Sequence, residues 1–233
     1  MAPTSIKPTH SIEIKELLRI ADRTIKTGKN QYLFQEGQAA NELYLIISGK
    51  VQISKITSEG RELALRICGE NDICGELTLF TNAPRYLLNA HVIAEGEVAV
   101  INKDVLEKEI FHNGALAYEF MKWMSDHFRK TQTKFRDLLL TGKKGALFST
   151  LIRMTNSYGV QKEDGILIDL PLTNQQLGDF CGTSRESTNR YLNELKRDGV
   201  VSFEKGKIKI HDLQYLKNEI GCENCPAVYC SIE

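Results

Sequence analysis

The sequence predicts an α+β chain made of an all-β roll, one long helix and a winged helix-turn-helix domain. Three observations carry this. Tyr32 to Ile101 reads as short alternating apolar runs broken by turn residues. From about Ala115 apolar residues recur in steps of four and three, ending near Gly142. Thr173 to Leu192 carries two helix starts on either side of a glycine.

Bulk properties set the limits. A chain of 233 residues, 42% hydrophobic and 26% charged, can bury one large or two modest cores. Nothing approaches the roughly 18 consecutive apolar residues of a membrane span. With no signal peptide either, the chain reads as cytoplasmic, where thiols stay reduced. Net charge is zero, and residues 143–220 hold 12 Lys and Arg against 10 Asp and Glu. Any affinity for nucleic acid must therefore come from placed charges, not from a basic field.

Four segments follow: 1–112, 113–142, 143–220 and 221–233. The first begins with a polar stretch and a short helical pattern around Ile12–Ile25. The roll comes next, with Leu43-Tyr44-Leu45-Ile46-Ile47 and Val51-Gln52-Ile53 as strand cores and Gly37, Gly49, Gly69 and Gly75 at turns. In the second segment Ala117, Met121, Met124, Phe128, Thr131, Phe135 and Leu138 form an a/d seam suited to a parallel homodimer. Asp137 lies beside its C-terminal end.

In the third segment Thr173 with Gln176, and Thr183 with Glu186, fit capping boxes. Gly182 supplies the turn, and Leu177, Phe180, Leu192 and Leu195 fall where the two helices face each other. Arg185, Glu186, Asn189 and Arg190 share one polar face at the start of the second helix. An Arg there can pair with guanine O6 and N7, and Glu can accept from cytosine N4. This arrangement reads double-stranded DNA in the major groove. Val200 to Ile210 alternates around a Lys-Gly turn, like a wing whose Lys207 and Lys209 could meet phosphates.

The fourth segment holds Cys222, Cys225 and Cys230, spaced C-x2-C-P-x3-C. By spacing alone an Fe–S cluster and zinc are both open, as are free thiols. Three cysteines leave a fourth ligand to be found among Asp137, His211, Cys181, Cys68 and Cys74.

These residues together resemble the cyclic-AMP receptor/Fnr family of bacterial transcription regulators. Tyr32–Gly37, Leu43–Gly49 and Gly75–Phe80 look like its cyclic-nucleotide-type roll, and Gly182–Glu186 looks like its recognition-helix start. The tail is similar to that of Bacillus-type Fnr, which carries an oxygen-labile [4Fe-4S] cluster. The resemblance implies Cys222, Cys225 and Cys230 as cluster ligands, with Asp137 as the fourth, in the segment Arg136–Leu140. As an oxygen ligand on a helix surface, Asp137 should be removable without harm to the fold. The family's nucleotide binders use Gly-Glu and then Arg followed by Ser or Thr. Gly75, Glu76 and Arg85 are present, but Tyr86 replaces the small hydroxyl, so the effector site reads as lost. The expected protein is a homodimeric, oxygen-sensing activator of anaerobic metabolism and not an enzyme. It would read a TGTGA-type inverted repeat and work with RNA polymerase. The rival expectation is a cyclic-nucleotide-responsive activator with a structural zinc tail.

Overall fold

The structure is a computed structural model that describes residues 14–82 and 84–233. It divides into two compact units, and the boundary falls inside the long helix, between Ser125 and Asp126.

The first unit starts with α1 (Ile14–Arg19) and β1 (Arg23–Thr27). The helical pattern expected across Ile12–Ile25 is therefore corrected: Arg23 to Ile25 is strand, and Ile12 lies outside the described residues. The β-branched pair Thr24-Ile25 suits a pleated surface, and pairing of Arg23 with Val100 and Ile25 with Val98 overrides the local periodicity.

β1 pairs with β8 (Gly96–Asn102), which pairs with β3 (Glu42–Ile46), and β6 (Ile73–Cys74) closes this sheet. The second sheet runs β2 (Tyr32–Phe34), β7 (Asn89–Ala94), β4 (Lys50–Ile56) and β5 (Glu62–Cys68). β3 and β8 are buried on both faces, which explains their unbroken apolar runs. Tyr44, Ile46, Val98 and Val100 enter one core with Phe34, Val92 and Tyr86. Leu43, Leu45, Ala99 and Ile101 enter another, capped by Leu106 of α2 (Lys103–His112) and by Leu116, Phe120 and Trp123 of α3 (Gly114–Leu140). Each such side chain contributes about 1.5–3 kcal/mol on burial. Gly49 sits at φ +85°, and a Cβ there would lie 2.7 Å from the Ala94 carbonyl oxygen, so only glycine closes the β3–β4 turn. Gly69, by contrast, needs no positive φ.

The second unit contains the last half of α3, α4 (Gly142–Tyr158), α5 (Asn174–Cys181), α6 (Arg185–Arg197) and α7 (Leu213–Glu219). Its sheet has the order β11 (Val201–Glu204), β12 (Lys207–Ile210), β10 (Gly165–Ile168), β9 (Gly159–Lys162). The expected wing is β11–β12, with Lys205 and Gly206 both at positive φ in the turn.

Along α3, Met121, Phe128 and Phe135 are exposed, as the seam requires. Thr131 of the seam is exposed as well, and so are Tyr118, Ser125, Gln132 and Leu139 of the neighbouring frame. Met124 instead packs on the roll core, and Ala117 and Leu138 are half-buried. Two heptad frames one residue apart share Met121, Phe128 and Phe135, and packing on the neighbouring elements selects between them.

Candidate functional site

Two constellations of the second unit and one of the first bear on function. The first is the recognition helix. Thr173 caps α5 in a complete capping box with Gln176. Gly182 lies at φ +60° and ends α5 in the left-handed conformation. The cap of α6 is Ser184, whose hydroxyl accepts from the Ser187 amide, so the capping box expected from Thr183 and Glu186 does not form. Ser184 and Thr183 are adjacent and chemically alike, and the turn geometry decides between them. Leu177, Phe180, Leu192 and Leu195 are buried as expected. Gly178 makes the close crossing possible: a Cβ there would lie 2.9 Å from the Thr183 carbonyl oxygen and 3.0 Å from Thr188 Oγ1.

This frame leaves Arg185, Glu186, Asn189 and Arg190 exposed on the first turns of α6. The backbone amide of Glu186 and the Ser184 hydroxyl hold the Glu186 carboxyl below its usual range, so it is an ionised acceptor. Asn189 Oδ1 accepts from Asn174 Nδ2 at 3.0 Å, and the Arg190 guanidinium lies over the Tyr191 ring at 4.9 Å. On the wing, Lys207 is paired with Asp169, and Lys209 with Asp164 at 3.2 Å and Glu204 at 3.0 Å. Both lysines must leave these carboxylates to reach a phosphate. Lys205 at the wing tip is exposed and better placed to do so.

The second constellation is a cavity of about 200 Å³ between the end of α3, α4 and the tail. Cys222, Cys225, Cys230 and Asp137 all line it, so the chain brings together the four residues singled out in the sequence. No three His, Cys, Asp or Glu side chains among the described residues come close enough to hold a single metal ion. His211 is elsewhere, with Nδ1 at 2.6 Å from the Asp164 carbonyl oxygen and Nε2 at 2.7 Å from Ser202 Oγ. Cys181 is buried beside Thr150, and burial pushes its thiol up to about 12. Cys68 and Cys74 belong to the roll core.

Asp137 is not a surface carboxylate, which corrects that expectation: it is 8% exposed. Oδ2 accepts from Ser149 Oγ at 2.6 Å and from Arg153 Nη2 at 2.6 Å. Oδ1 accepts from Arg136 Nε at 3.0 Å and Nη2 at 2.9 Å. Burial alone would raise its pKa, but the bonds from Ser149, Arg153 and Arg136 outweigh it and hold the carboxyl below its usual range. Arg153 is 1% exposed and is the largest fully buried side chain among the described residues. It also donates to the Tyr229 carbonyl oxygen at 3.1 Å, an oxygen that Thr133 Oγ1 reaches at 3.1 Å. Asn156 Nδ2 donates to the Cys230 carbonyl oxygen at 2.6 Å, and the Ile232 amide donates to Ser157 Oγ at 2.9 Å. Sequence reading missed Ser149 and Arg153. The available signal was Ser149 and Arg153, four apart in the mostly apolar stretch Ala146–Met154 of α4, a spacing that puts them on one face.

The third constellation lies in the roll, at the effector-site positions read from the sequence. Tyr86 is buried, stacks on Phe34 at 3.9 Å and donates to the Glu42 carbonyl oxygen at 2.6 Å. The space left between Phe34, Gly75, Glu76 and Tyr86 is about 20 Å³. That admits one water and no nucleotide. Glu76 pairs with Arg66 at 3.0 Å, and Arg85 donates to the Gly37 carbonyl oxygen at 2.6 Å. Gly75 holds φ +93° at the start of the 3-10 turn Glu76–Thr78. Gly75 and Glu76 thus serve the turn and the fold.

Comparison with known proteins agrees with this division. Residues 24–113 match the cyclic nucleotide-binding domain, and residues 146–219 match the Crp-like helix-turn-helix domain. The chain is 56% identical over 234 residues to the anaerobic regulatory protein of Bacillus subtilis (strain 168), covering 98% of each chain. It is 29% identical over 184 residues to the CRP-like cAMP-activated global transcriptional regulator of Mycobacterium tuberculosis, covering 79% and 82%. Among solved structures, FixK2 from Bradyrhizobium japonicum superposes with a TM-score of 0.71 at 20% identity, covering 84% of this chain and 96% of that one. The c-di-GMP-responsive regulator CLP of Xanthomonas campestris gives 0.76 at 22%, covering 85% and 98%. These two likenesses speak for the fold alone.

Proposed function

This chain belongs to the Crp/Fnr family of DNA-binding transcription regulators, which are not enzymes, and we propose that it senses oxygen through a [4Fe-4S] cluster held by its tail. The observation that carries the proposal is the single cavity lined by Cys222, Cys225, Cys230 and Asp137. The donor set fits the group. Three thiolates and one carboxylate suit an iron–sulfur centre, and the buried Arg153 guanidinium offsets part of their negative charge. Structural zinc would need all four ligands within about 2.0–2.3 Å of one point, whereas each thiolate of a cluster binds a different iron. The relative from Bacillus subtilis, named an anaerobic regulatory protein, supports the anaerobic theme.

When bound, the cluster supplies the chemistry that oxygen attacks. The chain's own residues do the rest. Cys222, Cys225 and Cys230 anchor the group to the tail, and Asp137 ties it to α3. Ser149 and Arg153 fix Asp137 from the α4 side, so a change at the carboxylate is felt by the helix that opens the DNA-binding domain. A bias of a few kcal/mol between two geometries suffices to switch DNA affinity. The exposed face of α3 at Met121, Phe128 and Phe135 provides the homodimer seam. The dimer would place two copies of α6 about 34 Å apart, one turn of DNA. Arg185 and Arg190 offer two guanine readers and Glu186 a cytosine reader, which fits TGTGA half-sites, with RNA polymerase as the partner at the promoter.

The reading is tested on anaerobically purified protein. Broad visible absorption near ~400 nm, with iron and acid-labile sulfide, is expected of thiolate-held clusters, along with bleaching in air and a fall in DNA affinity. Serine at any of the three cysteines should abolish the colour. Stoichiometric zinc without sulfide would refute the reading.

A further inference from the structure

All four acceptor positions of the Asp137 carboxylate are filled by protein donors, two of them by one side chain. Arg136 donates twice to Oδ1, while its Nη1 meets the Glu223 carboxylate and its Nη2 reaches Cys225 Sγ at 3.9 Å. A single guanidinium thus bridges Asp137 on α3 to two residues of the cysteine loop. The bonds on the Oδ2 side come from Ser149 and the fully buried Arg153, which has no room to leave. Arg136 is 35% exposed and paired with a Glu223 that is 67% exposed, so it can swing into solvent.

We propose that Arg136 is a latch that ties Asp137 to the cysteine loop at Glu223 and Cys225, competes with the cluster for the Asp137 carboxylate and is displaced when the cluster binds. The latch is a positioning residue. A cation of one charge holds together the groups that the metal centre would otherwise hold, and it competes with iron for the same carboxylate oxygen. It keeps the loop near α3 after cluster loss and shortens the cluster's own lifetime. Glu223 is the latch's second arm, and its removal should weaken only the bridge to the loop.

The inference about competition rests on the cluster reading above; the inference about the metal-free loop does not. Both are tested with Arg136→Gln and Arg136→Lys in the full chain. In metal-free protein, amide exchange at residues 222–225 should quicken about tenfold in Arg136→Gln, the scale of one lost charge-assisted hydrogen bond. Exchange at 229–232 should not change, because Arg153, Thr133, Asn156 and Ser157 hold that stretch independently. Arg136→Lys should fall between. Cadmium ion, used as a thiolate-seeking probe, should bind Arg136→Gln about tenfold more tightly than the parent chain, since the same competitor is gone. In loaded protein a chelator should strip the variant's cluster more slowly. Unchanged exchange at 222–225, or equal loosening over the whole of 222–232, would overturn the latch. Weaker cadmium binding or faster stripping in the variant would overturn the competition. If neither protein takes up iron and sulfide, the cluster reading fails, while the exchange experiment still decides the latch.

Discussion

Replacing Asp137 by Ala tests more than metal binding. The Asp137 carboxylate is the close counter-ion of Arg153, at 2.6 Å, and Arg153 is 1% exposed. Removing the acid leaves a guanidinium buried with only neutral acceptors. Breaking a buried pair in this way costs about 3–5 kcal/mol, against a total of roughly 5–15 kcal/mol for a domain. Asp137→Asn keeps an acceptor for Ser149 and Arg153 and should cost less. Asp137→Ala with Arg153→Met removes both charges and should recover much of the loss. The assay is urea unfolding of the metal-free chain, followed by far-ultraviolet circular dichroism. The single tryptophan, Trp123, belongs to the roll unit, so its fluorescence midpoint serves as an internal control that should stay in place. The acid dependence follows from the same bonds. Asp137 has a lowered folded value, so its contribution is complete above the ordinary value of 3.8 and disappears as pH falls through the folded one. A stability change for Asp137→Ala under about 1 kcal/mol, the scale of a neutral hydrogen bond, would refute the argument. Loss of cluster in that variant is consequently not a clean ligand test, and the asparagine variant should be compared with it.

Other consequences can be measured directly. Titration with cyclic AMP should give no micromolar heat, because Tyr86 and Phe34 leave only about 20 Å³; tight binding would restore the nucleotide-responsive alternative. Arg190→Ala should cost ~1–3 kcal/mol of DNA affinity and relax discrimination at one guanine. Selection from random DNA should enrich TGTGA, and enrichment of TTGAT would show the arginine assignment to be mistaken. Burial, together with the Arg153 charge, pushes Lys134 down to about 7 where it packs over the Phe180 ring. The unfolded chain binds that proton more readily, so stability should rise with pH between about 7 and the ordinary 10.5. Lys134→Met should flatten that rise in a pH series of unfolding curves, and an undiminished slope would count against it.

Much of this was legible because local chemistry and tertiary need coincide. Thr173 and Gln176 form the box their spacing calls for, and the cysteine spacing with Asp137 meets at one cavity. The failures have physical causes. The α6 cap moved by one residue because two hydroxyl side chains are adjacent. Of the seam residues Met124 is drawn onto the roll core, because one helix can satisfy two heptad frames. The β9–β10 hairpin escaped notice because eight paired residues around Glu163-Asp164 carry little alternation. Arg153 was missed because its partner is a carboxylate on another helix, and the local sequence offers only the four-residue spacing from Ser149 as a hint.

The anchoring of the tail has a consequence for how the signal is produced. Residues 221–231 form a loop whose two ends are already fixed. α7 holds one, where the Cys222 amide donates to the Lys217 carbonyl oxygen at 2.9 Å, and Ile232, 2% exposed, is sunk at the other. The conformational entropy of closing that loop is spent during folding, before any metal arrives. On the proposed cluster reading, metal loading would differ from that of a zinc finger, where binding drives folding. Loss of the metal would leave the loop tethered rather than released. The message passed to the DNA-binding helices would then be a displacement of a few side chains around one carboxylate, fast to make and reversible without refolding.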